Sequence, residues 1–156
     1  MISFVANTIQ VHIACEHPST GQILFLALKR SSGNPIYPGL WQAVTGTIEA
    51  GETAIECALR EVEEETGLKP KEIWTIPFVG TFFDPYQNSV NAIPVFGVLV
   101  DYQEEIRISS EHTEFAWLSL EEFIERVPLP SHKLGAQYFW EYILRFPQRD
   151  MFRYRT

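Results

Sequence analysis

The first residues in this sequence that could carry chemistry are the carboxylates between Glu49 and Glu65, a segment with seven glutamates and one arginine. On a helix with about 100° per residue, Glu61, Glu64 and Glu65 fall within an arc of about 100°. Like charges on adjacent helical turns repel one another. A hard divalent cation such as Mg²⁺ or Mn²⁺ converts that repulsion into coordination by oxygen ligands. A solvated acidic face is the alternative, so the surrounding residues must decide between the two.

The helix that carries these carboxylates has clear ends in the sequence. Thr53 and Glu56 form the Ser/Thr-x-x-Glu pattern of a capping box, and Gly67 is placed to end the helix. One apolar stripe faces the core and consists of Ile55, Ala58, Leu59 and Val62. Arg60 falls on the opposite flank, beside Glu56 and Glu63. The wheel therefore predicts that Arg60 points away from the three carboxylates.

From Gly46 to Leu68 the chain reads GTIEAGETAIECALREVEEETGL. This segment resembles the Nudix box, the signature of the Nudix hydrolase family, at every specified position. The resemblance implies that Glu61, Glu64 and Glu65 bind the metal, Mg²⁺ or Mn²⁺. It further implies that Glu52 orients Arg60 and that Gly46 permits the loop-to-helix geometry. The implied reaction is hydrolysis of a phosphoanhydride bond in a nucleoside diphosphate linked to a further group.

A general base outside the helix is also implied by the resemblance, because several members carry a glutamate six residues before a tryptophan. Glu111 stands at that distance from Trp117, and it could also bind metal. Glu114 is the competing candidate for the base. His112 is predicted to be a hydrogen-bonded loop histidine.

Signals for the substrate lie outside the box. The run Trp41-Gln42-Ala43-Val44-Thr45-Gly46 is similar to the bacterial dihydroneopterin triphosphate and dATP pyrophosphatase group, which implies release of pyrophosphate. Lys29 and Arg30 could bind the distal phosphates, or be the solvated end of an edge strand. Tyr86 lies near a tyrosine position of dinucleoside polyphosphate hydrolases, and Phe83 and Tyr86 could stack on a base. Trp41 is the third aromatic residue expected to contact the substrate.

Three other functions remain to be compared with hydrolysis of a small nucleotide-like substrate. A non-catalytic nucleotide-binding Nudix module would be favoured by loss of a box glutamate, and none is lost. Isopentenyl diphosphate isomerase shares the fold, but its catalytic cysteine follows the tryptophan before the box, whereas Cys15 precedes Trp41. Processing of an RNA 5′ end is disfavoured by the acidic balance of the chain.

The whole chain supports these interpretations. At 156 residues, 46% of them hydrophobic, it is predicted to be a single domain over residues 1–156. The formal net charge of −8 disfavours nucleic acid as a partner, so a nucleotide-like small molecule is expected. No apolar stretch is long enough for a membrane span and no secretory signal is visible, so a cytoplasmic location is expected. Cys15 and Cys57 are predicted to be free thiols.

The elements that position the site follow from periodicity and turn residues. Strands are expected near residues 4–14, 23–29, 41–44, 73–83, 90–102 and 114–118, with a hairpin turn at 17–21. Helices are expected at 53–67, 119–126 and 131–144. This order predicts an α/β (α+β) fold, a Nudix-type α-β-α sandwich with a mixed central sheet. Aromatic residues in the last helix and in the tail at 151–154 could belong to the core or to a homodimer surface.

Overall fold

The structure is a computed structural model that describes residues 1–155. Its strands are β1 (Ser3–Val5), β2 (Thr8–Glu16), β3 (Ile23–Arg30), β4 (Trp41–Gln42), β5 (Val44–Thr47), β6 (Glu72–Asp84), β7 (Ser89–Leu99) and β8 (His112–Leu118). Its helices are α1 (Ala54–Thr66), α2 (Leu120–Arg126) and α3 (Pro130–Phe139). A π-helical turn, Trp140–Leu144, continues α3, and a 3₁₀ helix covers Arg149–Phe152.

The strands form one mixed sheet around β2 and β7, which pair in parallel. β2 is antiparallel to β3 and β5, and β3 is antiparallel to β4 and β8. β7 pairs in parallel with the short β1 and antiparallel with β6. The predicted mixed sheet is therefore confirmed.

Two hydrophobic cores lie on the two faces of this sheet, as a three-layer sandwich requires. One core packs the sheet against α1 and includes Val62 and Leu68. The other packs it against α2 and α3 and includes Phe123 and Phe139. The predicted α-β-α arrangement is confirmed.

β2 shows why both faces are buried. Its side chains alternate between the two layers, so Ile9, Val11, Ile13 and Cys15 join the core under α1. The residues between them, Gln10, His12 and Ala14, point to the layer of α2 and α3, where the His12 ring lies 5.8 Å from that of Phe123. Gln10 and His12 are buried polar residues in an otherwise apolar layer.

Several element boundaries differ from the sequence-based expectation. The first predicted strand is divided into β1 and β2, since β1 pairs with β7 alone while β2 pairs with three strands. The last predicted helix ends at Phe139 as an α-helix and continues as a π turn to Leu144. Both cysteines are buried free thiols, as expected. Across residues 1–155, no helix is long and apolar enough to cross a membrane.

Candidate functional site

A cavity of about 790 Å³ opens between the Nudix-like segment and the start of α3. Its acidic wall contains Glu49, Glu61, Glu64, Glu65 and Glu111. Its second wall contains Thr81, Phe82, Ile93, Leu129, Pro130, Ser131 and His132. The volume lies in the usual range for small-molecule sites.

Helix α1 carries Glu61, Glu64 and Glu65 of the acidic wall, and it is capped at both ends. At its start, the Glu56 amide donates to the Thr53 hydroxyl and the Thr53 amide donates to the Glu56 carboxylate, at 3.2 and 2.8 Å. At its end, Gly67 adopts φ 69° and its amide donates to the Glu63 carbonyl at 2.8 Å. The predicted caps at both ends are confirmed. The buried face contains Ala58 and Val62 as expected.

Glu65 is the most unusual carboxylate in the cavity. Its side chain is only 5% exposed, and its Oε2 atom has no hydrogen-bond partner within residues 1–155. Burial, the charges of Glu61 and Glu111 and a side-chain hydrogen bond with Glu111 raise the pKa of Glu65 to about 9, so the group holds a proton at pH 7. The nearest cationic candidate, His112 Nδ1, lies 4.0 Å away, which is too long for a hydrogen bond. Ionising this buried group is costly unless a positive charge lies beside it.

Glu61 is also desolvated, and burial is the main reason that its pKa is raised. It lies directly over Gly46, where a Cβ would stand 2.3 Å from the Glu61 Cγ atom. Gly46 is in strand β5, paired with Ile9, and not in a loop. The expected loop-to-helix role of Gly46 is therefore corrected: this position lacks a side chain because Glu61 occupies the space.

Arg60 pairs with Glu52 through two hydrogen bonds, from Nε at 2.7 Å and from Nη2 at 3.0 Å. This bidentate pair holds the pKa of Glu52 at about 2. The Nη2 atom also donates to the carbonyl of Thr47 at 3.2 Å, which ties α1 to β5. The arrangement is the one that the family resemblance implied.

The expectation that Arg60 points away from the other carboxylates is wrong. Its Nη1 atom donates to Glu61 at 2.9 Å and to Glu64 at 3.1 Å. A helical wheel places the Cβ atoms only, whereas the guanidinium extends far enough to curl around the helix. With Arg60 holding two of the three carboxylates, no group of three His, Cys, Asp or Glu side chains in residues 1–155 has the geometry of a formed metal site.

The two candidate bases lie in different surroundings. Glu111 precedes β8 and lines the cavity, where its charge acts on Glu61 and Glu65. Glu114 lies within β8 and forms an ion pair with Lys29 at 2.8 Å. His112 is buried and burial lowers its pKa to about 4, so the ring is neutral at pH 7.

The expected phosphate-binding pair is separated by strand alternation. Arg30 lines the cavity, donates from Nε to the Ile36 carbonyl at 2.8 Å and approaches Gln42 Oε1 at 3.5 Å. Lys29 points elsewhere, to Glu114. In the described chain, Arg30 is therefore the member of the pair that reaches the cavity.

The three expected aromatic contacts do not line the cavity in the part of the chain that the structure describes. Trp41 packs in the α2–α3 layer, with the Arg126 guanidinium 5.0 Å from its ring centre. Phe83 and Tyr86 are exposed near the β6–β7 turn, and Tyr86 is almost fully exposed. Phe82, the neighbour of Phe83, is the aromatic residue of β6 that faces the cavity.

Sequence reasoning missed the contribution of α3. Leu129, Pro130, Ser131 and His132 form the start of this helix and part of the second wall. No local motif marks them, because their place in the site depends on how α3 packs against β2 and β6. Tyr37, in the loop after β3, was also missed.

Comparisons with known proteins identify the family and agree with the fold. The NUDIX domain family matches residues 9–139. Octanoyltransferase of Myxococcus xanthus is 34% identical over 97 residues, which cover 58% of this chain and only 26% of that protein. The asymmetrical bis(5'-nucleosyl)-tetraphosphatase of Mus musculus is 29% identical over 134 residues, covering 80% and 84% of the two chains.

Two further similar proteins are covered over most of their own length. The nucleoside triphosphatase NudI of Salmonella arizonae is 30% identical over 106 residues, covering 64% of this chain and 75% of that protein. The structure of the E. coli dihydroneopterin triphosphate pyrophosphohydrolase has a TM-score of 0.67 at 22% identity, covering 89% and 97% of the two chains. This last likeness shows a shared fold. The chain belongs to the Nudix hydrolase family, and the relatives named as a tetraphosphatase and a nucleoside triphosphatase identify it as a hydrolase of acid anhydrides.

Proposed function

We propose that the protein hydrolyses a nucleoside or pterin triphosphate with the help of Mg²⁺ and releases pyrophosphate. Water adds to the α-phosphorus, the bond from this phosphorus to the bridging oxygen breaks, and pyrophosphate leaves. The observation that carries the proposal is the buried carboxyl group of Glu65, whose Oε2 atom has no hydrogen-bond partner within residues 1–155, in a cavity with Glu61, Glu64 and Glu111.

The chemistry of this donor set fits a hard divalent cation. All four groups offer carboxylate oxygens, the ligands that Mg²⁺ and Mn²⁺ prefer. Burial makes the ionised form of Glu65 unfavourable, and a cation beside it would reverse that penalty. Glu61, Glu64 and Glu65 would hold the cation, with Glu111 as a further ligand or as the base. When bound, the cation supplies Lewis-acid polarisation of the phosphoryl oxygens and neutralises their charge.

The residues of the chain supply the remaining parts of the proposed reaction. Glu111, on the rim of the cavity, accepts the proton of the attacking water. Arg30 balances charge on the distal phosphates, which a protein of net charge −8 would otherwise repel. Arg60, fixed by Glu52, sets the positions of Glu61 and Glu64. Arg60 is thus a positioning residue.

A second candidate function is hydrolysis of a dinucleoside polyphosphate. The mouse relative that spans 80% of this chain bears the name of a bis(5'-nucleosyl)-tetraphosphatase. Such a substrate carries a second nucleoside beyond the phosphates, and the exposed Phe83 and Tyr86 could contact it outside the cavity. A non-catalytic nucleotide-binding module is disfavoured, because all the box glutamates are present.

The test is a substrate panel with Mg²⁺ that contains ATP, dATP, dihydroneopterin triphosphate, diadenosine tetraphosphate and ADP-ribose. Pyrophosphate and phosphate are measured separately for the wild type, for Glu65→Gln and for Glu63→Gln. Glu63 is an exposed glutamate of the same helix and serves as the matched control.

We expect pyrophosphate from a triphosphate, a loss of about a thousandfold in kcat for Glu65→Gln, and a change of less than about twofold for Glu63→Gln. ATP as a product of diadenosine tetraphosphate, with triphosphates left intact, would favour the second candidate. Turnover of nothing in the panel despite Mg²⁺ binding would contradict both.

A further inference from the structure

We infer that the second wall of the cavity, at the start of α3, binds the heteroaromatic base of the substrate, and that His132 Nε2–H donates to an acceptor atom of that base. This inference rests on the proposed function for the position of the phosphates and extends it to the other end of the substrate. In this site the neutral ring of His132 supplies the hydrogen-bond donor that determines specificity for the base.

The hydrogen bonds of His132 determine which of its nitrogens carries the proton. The ring is 5% exposed, and its Nδ1 atom accepts a hydrogen bond from the Ala43 amide at 3.0 Å. A backbone amide can only donate, so Nδ1 carries no proton in this arrangement. The proton of the neutral ring is therefore on Nε2. Burial lowers the pKa of His132 to about 4, which keeps the ring neutral at pH 7.

The position of His132 makes that donor useful to a ligand. His132 lines the cavity with Ser131 and Pro130, and its Nε2 atom makes no hydrogen bond within residues 1–155. A nearly buried donor without a partner loses its bonds to water and regains them only when an acceptor binds. The same wall carries the first turn of the ten-residue helix α3, in which Pro130 has no amide hydrogen and the amides of His132 and Lys133 donate to the Leu129 carbonyl, so the ring of His132 is the donor available to a ligand.

A second layer of polar residues holds this turn in place from below. The Gln10 side-chain amide donates to the Ser131 carbonyl at 3.1 Å, and its nitrogen lies 2.7 Å from His12 Nε2. Gln10 thus ties α3 to β2 and lies within hydrogen-bond distance of His12, while Gln10 Oε1 and His12 Nδ1 have no hydrogen-bond partner within residues 1–155. Gln10 and His12 are fully buried, and burial of polar groups in an apolar layer costs stability. They explain how Ser131 and His132 are fixed, which a packing role alone would not require.

Close contact between α3 and β2 makes the arrangement rigid. A Cβ on Gly135 would lie 2.3 Å from His12 Nε2 and 2.6 Å from Gln10 Nε2. On the other side, a Cβ on Gly80 would lie 3.2 Å from the Ser131 Cβ atom. The first turn of α3 is thus held between β2 and β6, and His132 cannot easily turn away from the cavity.

The chemistry around His132 fits a planar base and not another phosphate. Phe82 and Ile93 offer apolar surface, and Phe82 and Tyr37 are aromatic and half exposed, so each can stack on a flat ring. The described carboxylates of the cavity belong to its other wall. The acidic ligands for the cation and the contacts for the base therefore lie on different walls, and the Arg30 charge acts on both Glu65 and His132.

The experiment compares binding of a nucleotide with binding of the same phosphates without a base. Calorimetry with Mg²⁺ measures the Kd of the α,β-methylene analogues of ATP, GTP and CTP, and of inorganic tripolyphosphate. The variants are His132→Ala, His132→Gln, whose amide can still donate, and Lys133→Ala as the neighbouring control. Thermal unfolding of each variant checks that α3 stays folded.

For His132→Ala we expect the Kd of the best-bound analogue to rise about ten- to thirtyfold, with the Kd of tripolyphosphate changed less than about twofold. His132→Gln should recover at least part of the loss, and Lys133→Ala should bind like the wild type. An equal loss for nucleotide and tripolyphosphate, or no loss for either, would overturn the inference.

The same measurements separate this inference from the proposed function. If the wild type binds an analogue more tightly than tripolyphosphate but hydrolyses nothing in the substrate panel, the proposed function fails and the His132 variants still decide the inference. If the panel shows hydrolysis but no analogue binds more tightly than tripolyphosphate, the proposed function stands and the inference is overturned.

Discussion

The two walls of the cavity use buried polar groups in opposite ways. On the acidic wall, Glu61 and Glu65 are carboxyl groups whose ionised form is made unfavourable by burial, which raises the pKa of both. On the α3 wall, His132 and Gln10 are neutral and hold fixed hydrogen bonds. Acidic groups that are costly to ionise are therefore collected where a cation is expected, whereas a neutral ring with a fixed tautomer lies where a base is expected.

The largest expected effect tests whether Glu111, a residue of the acidic wall, is the proton acceptor. Glu111→Gln removes a carboxylate that lines the cavity, and we expect kcat to fall about a hundredfold to a thousandfold with the acidic limb of the pH–rate profile altered. Glu114→Gln is the matched change three residues further along the chain, and it loses only a surface ion pair with Lys29. It should keep kcat within about twofold. The reverse ranking would make Glu114 the base.

A smaller effect is expected from the positioning pair on the same wall. Glu52→Gln removes the bidentate bond to Arg60, and we expect a loss of about ten- to a hundredfold in activity together with weaker Mg²⁺ activation. Because the pKa of Glu52 is lowered to about 2, its stabilising effect is present above the unfolded value near 4.5 and is lost as the pH falls towards 2. The difference in Tm between wild type and variant should therefore disappear on acidification. A difference that grows at low pH would contradict the pairing.

The α3 wall can be disturbed without touching a cavity residue. A methyl group at Gly135 has no room beside His12 and Gln10, so Gly135→Ala should push the first turn of α3 outward. We expect KM for a nucleoside triphosphate to rise about tenfold at most, with turnover at saturation nearly unchanged and a cost of about 1–3 kcal/mol in unfolding free energy. Enzyme kinetics and denaturant unfolding measure the two effects. A fall in kcat without a change in KM would mean that the two walls are not separable.

The smallest expected effect is a change in thermal stability when Glu65, a residue of the acidic wall, is replaced. In a chelator and at pH 8, Glu65→Gln should raise Tm by about 3–6 °C, because the variant removes a buried carboxylate that is costly to ionise. The pKa of Glu65 is raised to about 9, so this group is least destabilising below the unfolded value near 4.5 and most destabilising as the pH rises through 9. The gain should thus shrink towards pH 4.5. Scanning calorimetry at three pH values measures it, and a lower Tm for the variant at pH 8 would show that Glu65 is already compensated.

Outcomes for individual residues show what local patterns can and cannot predict. The caps at Thr53 and Gly67 and the core positions Ala58 and Val62 follow from short-range spacing along one helix, and they are confirmed. Phe83 is expected to contact the substrate, but Phe82 lines the cavity. Alternation along a strand predicts that the two side chains lie on opposite faces, without telling which face meets the cavity. The reach of Arg60 was wrong for a related reason, since the wheel places the start of a long side chain but not its end.

The family and the acidic helix could be predicted from the sequence, as could the Glu52–Arg60 pair through the resemblance to the Nudix box, because these depend on residues within about six helical turns of one another. The tertiary structure alone decided that Arg30 and Glu111 reach the cavity while Lys29 and Glu114 pair with each other outside it. It also decided that His132 belongs to the site. That residue stands 67 positions beyond Glu65 and reaches the cavity only because α3 packs on the polar side chains of β2, a long-range contact with no local signature.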